Sequence, residues 1–231
     1  MQVSQNDITI DKNEVLRYLG YNNQNLSEHT NAQIDSLISK CLSLNSLKYT
    51  YRYFETESKN GEIHLKNTNV IFKGKDIYNH LSGCKYTALF AVTSGVAVES
   101  ELARLQKNSM TDAVIFDACA NAYIESGADF ADNIIRQEAK QKGFSANYRY
   151  SPGYGDFPIE CQKDIINLLD CPKTIGLTVT DSMLMIPHKS VTAVVGVFEG
   201  KANQNKRSCE SCNIYNQCIF RKGGNHCGKN N

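Results

Sequence analysis

The sequence has no tryptophan, only four prolines and four methionines among its 231 residues, and almost no net charge. With 25 Lys and Arg against 24 Asp and Glu, it lacks the basic excess that phosphate binding needs, so nucleic acid is not the expected partner. It also lacks an apolar run of the ~18 or more residues that a membrane helix requires. The polar N-terminus shows no secretory signal. We therefore expect a cytoplasmic protein that binds neither nucleic acid nor membrane.

The overall composition is typical of a folded domain, with 41% hydrophobic and 21% charged residues. Apolar periodicity and turn signals predict both helices and strands. The predicted helices cover 11–20, 31–44, 97–107, 111–142 and 159–170, and the predicted strands lie within 48–77, 87–95, 174–187 and 190–198. The last two strands are expected to pair with each other. The predicted fold class is α+β (mixed α/β), a twisted, mostly antiparallel sheet flanked by helices, with a long central helix.

The most informative stretch is the loop from Arg149 to Pro158, with the sequence RYSPGYGDFP. Its glycines let the backbone approach a ligand closely, and its prolines fix the path of the chain. Arg149 is suited to clamping a carboxylate through two parallel hydrogen bonds. Tyr154 offers both a ring face and a hydroxyl group. The alternative interpretation is a rigid surface turn in which Arg149 caps a helix end.

Several motifs follow one another in an order that resembles a known family. They are Arg149, Gly153 and Tyr154, then Thr180-Asp181-Ser182, Met185, Pro187 and Ser190-Val191. This pattern resembles the activation domain of vitamin B12-dependent methionine synthase, over roughly residues 87–198 and most strongly in the second half. The resemblance implies binding of S-adenosylmethionine and a role in reductive reactivation. There, an electron and a methyl group from S-adenosylmethionine restore methylcobalamin after cob(I)alamin has been oxidised to cob(II)alamin.

The resemblance also implies roles for individual loop residues. Arg149 would pair with the carboxylate of the methionine moiety, and backbone groups around Tyr150, Ser151 and Gly153 would hold the adenosine. Tyr154 would lie beside the sulfonium at the reacting centre, because an aromatic face tolerates positive charge. Methyl transfer from a sulfonium needs no general acid or base, so the protein mainly has to position the methyl group.

Two acidic residues are candidates for binding the ammonium group of the same ligand. Glu125 and Asp129 lie one turn apart on the predicted long helix, so they share one face of it. For either residue taken alone, a solvated helix face is the more frequent explanation. The pair is therefore a candidate that depends on what lies opposite it in the fold.

No Asp-x-His-x-x-Gly pattern for cobalt ligation occurs in the sequence. We therefore expect the chain to act in trans, on cobalamin held by a corrinoid-binding methionine synthase or a related methyltransferase. The electron would come from a donor such as flavodoxin or ferredoxin. In this organisation residues 1–85 are the N-terminal helical and strand part of the domain. Residues 86–200 form the S-adenosylmethionine-binding activation core, and 201–231 a cysteine-rich tail.

Four of the nine cysteines lie in that tail, with the spacing Cys209-x2-Cys212-x5-Cys218-x8-Cys227. Four thiolates this close together suit either a tetrahedral zinc site or an iron–sulfur cluster, and the spacing does not choose between the two. Free thiols are the simpler alternative. A reaction that consumes an electron favours the cluster. A rival hypothesis makes the tail an iron–sulfur electron-transfer or docking module for a corrinoid protein, without methyl-donor binding.

Overall fold

The computed structural model describes residues 1–21 and 24–200. Its helices are α1 Lys12–Tyr18, α2 Glu28–Ser43, α3 Lys75–Leu81, α4 Gly95–Asn108, α5 Met110–Gln141, α6 Cys161–Leu168 and α7 Cys171–Thr174. Its strands are β1 Lys48–Lys59, β2 Glu62–Leu65, β3 Ile71–Lys73, β4 Tyr86–Thr93, β5 Phe144–Ala146, β6 Thr178–Val179, β7 Met185–Ile186 and β8 Ser190–Glu199. Mixed helices and strands of this kind confirm the predicted α+β class.

Six strands form one sheet in the order β3-β2-β1-β4-β8-β5, with antiparallel neighbours throughout. Asn60 and Gly61 turn the chain from β1 into β2, and both have positive φ, at 52° and 79°. This is the backbone that a tight hairpin turn favours, and the Asn-Gly pair predicts it. At the centre, β4 and β8 pair along their whole common length, from Tyr86↔Val197 to Thr93↔Ser190.

Helices cover both faces of this sheet, so the fold has three layers. Ala88, Phe90 and Val92 of β4 face one core cluster, which they share with α1, α2, α4 and α5. The intervening Leu89 and Ala91 face a second cluster, which contains residues of α3 and α6. The alternation follows from the two-residue period of a strand, and a strand buried on both faces reads as a continuous apolar run.

The long central helix is α5, which spans 32 residues and is capped by the preceding Ser109, whose hydroxyl accepts a hydrogen bond from the Asp112 amide at 3.3 Å. At Gly127 it packs closely against Leu47, the residue before β1, and against Val92 of β4. A Cβ atom at that position would lie only 2.4 Å from Leu47 Cδ2 and 3.1 Å from Val92 Cγ1. Despite its length α5 is too polar to cross a membrane, and every other helix within residues 1–21 and 24–200 is too short.

The predicted pairing of segment 174–187 with 190–198 is wrong. Within the first segment, β6 and β7 pair with each other as a short ribbon, whereas β8 pairs with β4 and β5. The physical reason is burial: β8 is buried along most of its length and needs a strand on each side, while the ribbon is largely exposed. A polar turn at Thr180–Leu184, with Met183 at a φ of 62°, closes the ribbon on itself.

Candidate ligand-binding site

The chain after β5 carries a one-residue shift in register just before the loop. Ala146 pairs with Val197 of β8. The next bridge joins Tyr150 to Val194, so residues 148 and 149 together lie opposite a single residue of β8. This is a β-bulge, a device that redirects side chains and is common next to active sites. Arg149 consequently faces α5, whereas Tyr150 packs on the opposite face, against the cluster that contains α3 and α6.

Three of the predicted ligand-binding residues meet on the α5 side of this bulge. The Arg149 guanidinium donates to Asp129 Oδ1 over 2.5 Å and to Glu125 Oε2 over 2.8 Å. The Arg149 side chain is 15% exposed, while those of Glu125 and Asp129 are 49% and 44% exposed. A largely buried cation therefore lies beneath two accessible carboxylates. We call these three residues the clamp.

The charge state of the clamp follows from its surroundings. Burial alone would lower the pKa of Arg149. Hydrogen bonding to Asp129 and the negative charges of Asp129, Glu125 and Asp132 outweigh this effect and raise the pKa above its ordinary value. Arg149 is therefore a permanent cation. A fixed cation beside two accessible carboxylates matches the carboxylate and ammonium of an α-amino acid.

The loop beyond the bulge forms a second, aromatic group on the other face. The Tyr150 hydroxyl donates to the Tyr154 carbonyl at 3.2 Å, and the two rings lie 6.3 Å apart. Gly153, with φ of 90°, donates its amide to the Phe157 carbonyl at 2.8 Å, and the Tyr154 amide donates to the Ser151 carbonyl at 3.2 Å. Tyr154 is 62% exposed, so its ring is open to a ligand or a partner. The structure thus places Tyr154 with Tyr150 rather than with the clamp.

One loop residue has a structural task that the sequence did not reveal. The Asp156 carboxylate accepts hydrogen bonds from the amides of Lys75 at 2.6 Å and Asp76 at 3.0 Å. It therefore caps α3, whose own N-cap residue, Gly74, has no side chain to do so. Arg149, proposed above as an alternative helix cap, instead contacts side chains in the middle of α5.

Sequence reasoning also missed Arg136, which lies on α5 below the clamp. Its Nε donates to Asp132 Oδ2 at 2.9 Å, and its two terminal nitrogens donate to the carbonyls of Ala146 at 3.1 Å and Asn147 at 2.6 Å. The spacing of four residues between Asp132 and Arg136 is a signal for the ion pair. No sequence signal points to the two carbonyl acceptors, because any residue supplies the same group.

The predicted metal ligands Cys209, Cys212, Cys218 and Cys227 lie outside the described residues. Inside them, no group of three or more His, Cys, Asp and Glu side chains is arranged to hold a metal ion. The cysteines of this part are free and buried, namely Cys41, Cys84, Cys119, Cys161 and Cys171. Burial raises the pKa of the Cys161 thiol to about 11 and of the Cys171 thiol to about 12, so both are protonated near neutral pH.

Comparisons with known proteins agree with the motif order. Residues 75–204, just over half of the chain, match the family described as "Vitamin B12 dependent methionine synthase, activation domain". Among solved structures, the chain is similar to the MetH reactivation domain crystallised with AdoHcy, at 14% sequence identity and a TM-score of 0.66. That similarity covers 97% of this chain and 85% of the other. No curated protein matches the sequence. The chain therefore belongs to the activation-domain family of vitamin B12-dependent methionine synthase.

Proposed function

We propose that this chain binds S-adenosylmethionine at the clamp and the adjoining loop, and that it supports reductive remethylation of cob(II)alamin on a separate corrinoid methyltransferase such as methionine synthase. The observation that carries the proposal is the buried Arg149 guanidinium between two accessible carboxylates, directly before an exposed glycine-tyrosine loop. The family and the AdoHcy bound to the structurally similar domain support this ligand class.

In this proposal the clamp recognises the amino-acid end of the ligand. The ligand carboxylate binds Arg149, and the ammonium binds the accessible Glu125 and Asp129. Because Arg149 already contacts both acids, the ligand enters by separating or sharing existing ion pairs. Both acids are nearly half exposed, so their side chains are able to turn toward a ligand at little cost.

The loop would receive the adenosine and the sulfonium. Tyr150 exchanges both of its backbone hydrogen bonds with Val194, the Gly153 amide is bonded to Phe157, and the Ser151 carbonyl is bonded to Tyr154. The adenosine would therefore meet the Ser151 amide and the Gly153 carbonyl. Tyr150 then contributes through its ring. Since Tyr154 lies with Tyr150 and not with the clamp, the bound ligand would cross the loop, with its sulfonium against the exposed Tyr154 ring, where a π-face stabilises positive charge. The chain's task is to orient the methyl group toward the partner's cobalt.

Other parts of the reaction come from partners. The cobalamin is held by the corrinoid protein, and a donor such as flavodoxin or ferredoxin supplies the electron. We propose that Cys209, Cys212, Cys218 and Cys227 bind zinc or an iron–sulfur cluster, as their spacing suggests. The free cysteines of the described part are consistent with a reducing compartment such as the cytoplasm.

The test is isothermal titration of anaerobically purified protein with S-adenosylmethionine, with metal content measured on the same sample. Wild type and Arg104→Ala are expected to bind equally, since Arg104 is an exposed arginine that pairs with Glu101 on α4. Arg149→Ala is expected to weaken binding by at least about tenfold, because a charge-assisted pair is lost. No heat of binding with wild type would refute the proposal. If such a sample also contained iron, the electron-transfer alternative would replace it.

A further inference from the structure

We infer that Arg136 holds the β-bulge next to the clamp and thereby aims Arg149 at the ligand. This inference rests on the proposed function, because it assigns Arg136 as a positioning residue for the carboxylate of the ligand. The observations that carry it are the register shift after β5 and the three hydrogen bonds that the Arg136 guanidinium makes around it.

The bulge removes one backbone hydrogen bond between β8 and the chain after β5. The Asn147 amide donates to the Gly196 carbonyl at 3.0 Å, as in a regular ladder. The Gly196 amide does not return this bond to the Asn147 main-chain oxygen. It donates to the Asn147 side chain, at Oδ1 and 2.7 Å. The main-chain oxygen of Asn147 instead accepts from Arg136 Nη2 at 2.6 Å. The bulge is therefore stabilised by two side chains.

The shape of the Arg136 side chain suits three acceptors around the bulge. Its planar guanidinium reaches Asp132 with Nε and two successive carbonyls, those of Ala146 and Asn147, with its two terminal nitrogens. Asp132 and Asn147 are both buried, at 9% and 6% exposure, so water competes poorly for these contacts. A lysine has a single nitrogen on a flexible stem and does not reproduce a rigid three-acceptor fork.

Arg136 also acts on the direction of Arg149. If the register of β5 continued unchanged past Ala146, Arg149 would lie opposite Val194, and its side chain would face the α3 side and not α5. Arg136 fixes the backbone just before Arg149, while Glu125 and Asp129 on the same helix hold its guanidinium. Residues of one helix, α5, thus fix both the backbone before Arg149 and the direction of the Arg149 side chain.

The experiment compares two ligands that differ in one group. Wild type, Arg136→Lys and the matched control Arg104→Lys are titrated with S-adenosylmethionine and with its decarboxylated form, which keeps the ammonium and the sulfonium. Arg136→Lys is expected to lose about tenfold in affinity for S-adenosylmethionine and less than about twofold for the decarboxylated ligand. Arg104→Lys is expected to change neither affinity. If Arg136→Lys does not fold, Asp132→Asn removes the carboxylate that orients the guanidinium and should show the same ligand selectivity.

Each contrary outcome has a separate meaning. Equal losses for both ligands, or no loss for either, would overturn the positioning role of Arg136 while the proposed function stands. Equal affinity of wild type for the two ligands would remove Arg149 from carboxylate recognition, and the role of Arg136 with it. Absence of binding by wild type would overturn the proposed function and this inference together.

Discussion

Gly127→Ala is expected to destabilise the fold, because α5 packs closely against Leu47 and Val92 at this residue. The added methyl carbon would lie 2.4 Å from Leu47 Cδ2 and 3.1 Å from Val92 Cγ1. Carbon atoms in favourable contact are roughly 3.5–4.0 Å apart. Leu47 is only 1% exposed and Val92 is fully buried, so neither side chain is free to swing into solvent. Relief therefore requires Leu47 to adopt another rotamer within the packed core or α5 to move away from it.

The size of the effect is the difference between two terms. Overpacking a well-filled core costs about 1–3 kcal/mol. Replacing glycine by alanine within a helix stabilises by about 1 kcal/mol. The short distance to Leu47 puts the first term toward its upper end, so a net loss of about 1–2 kcal/mol in the free energy of unfolding is expected. Glu125 and Asp129 lie two residues on either side of Gly127, so affinity for S-adenosylmethionine should fall as well.

The assay is urea unfolding of Gly127→Ala in two backgrounds, wild type and Leu47→Ala. Leu47→Ala alone is expected to cost about 2–5 kcal/mol, because it opens a cavity. In that background the contacts with the Leu47 methyl groups are gone and only the 3.1 Å approach to Val92 Cγ1 remains, so the cost of Gly127→Ala should fall to near zero. The same cost in both backgrounds, or no cost in wild type, would refute the close-approach argument.

Two further predictions concern charged side chains. Glu125→Gln and Asp129→Asn should each weaken S-adenosylmethionine binding about fivefold in calorimetric titrations. Tighter binding would mean that the acids compete with the ligand carboxylate for Arg149. Hydrogen bonding to Arg104 holds the pKa of Glu101 at about 2. Because this lies below the unfolded value of about 4.3, Glu101 stabilises the fold above that pH and loses its contribution as the pH falls toward 2. Urea unfolding should show Glu101→Gln less stable than wild type at pH 7, with a difference that shrinks below about pH 4.5; a constant difference would contradict this.

Features governed by neighbours in the sequence were predictable. Asp11 is the N-cap of α1 and accepts a hydrogen bond from the Asn13 amide at 2.9 Å, as its position before an apolar-periodic segment predicts. The Asn60-Gly61 turn and the long helix α5 were also predicted from local signals. Glu125 and Asp129 share a helix face for the same reason, which is the helical period.

Features that depend on distant partners were not predictable. The position of β8 between β4 and β5 depends on burial on both faces, whereas nearness in the sequence favoured pairing with segment 174–187. That Arg149 would meet Glu125 and Asp129 required the bulge, which is visible only as a difference between two pairings with β8. The order of the motifs around Arg149 nevertheless identified the family, because that order depends on residue types along the chain and not on how the strands pair.

The β-bulge also leaves room for length variation between β5 and the loop. Deleting Tyr148 would let the segment pair regularly with β8 and would place Arg149 alone opposite Val195, whose side chain lies in the cluster that contains α5. Because a strand reverses its faces with every residue, Arg149 would still face α5 and Tyr150 would still face the α3 side. Members of the family that keep the clamp are therefore expected to tolerate the loss of one residue here, provided that the residue after the arginine keeps its pairing with β8.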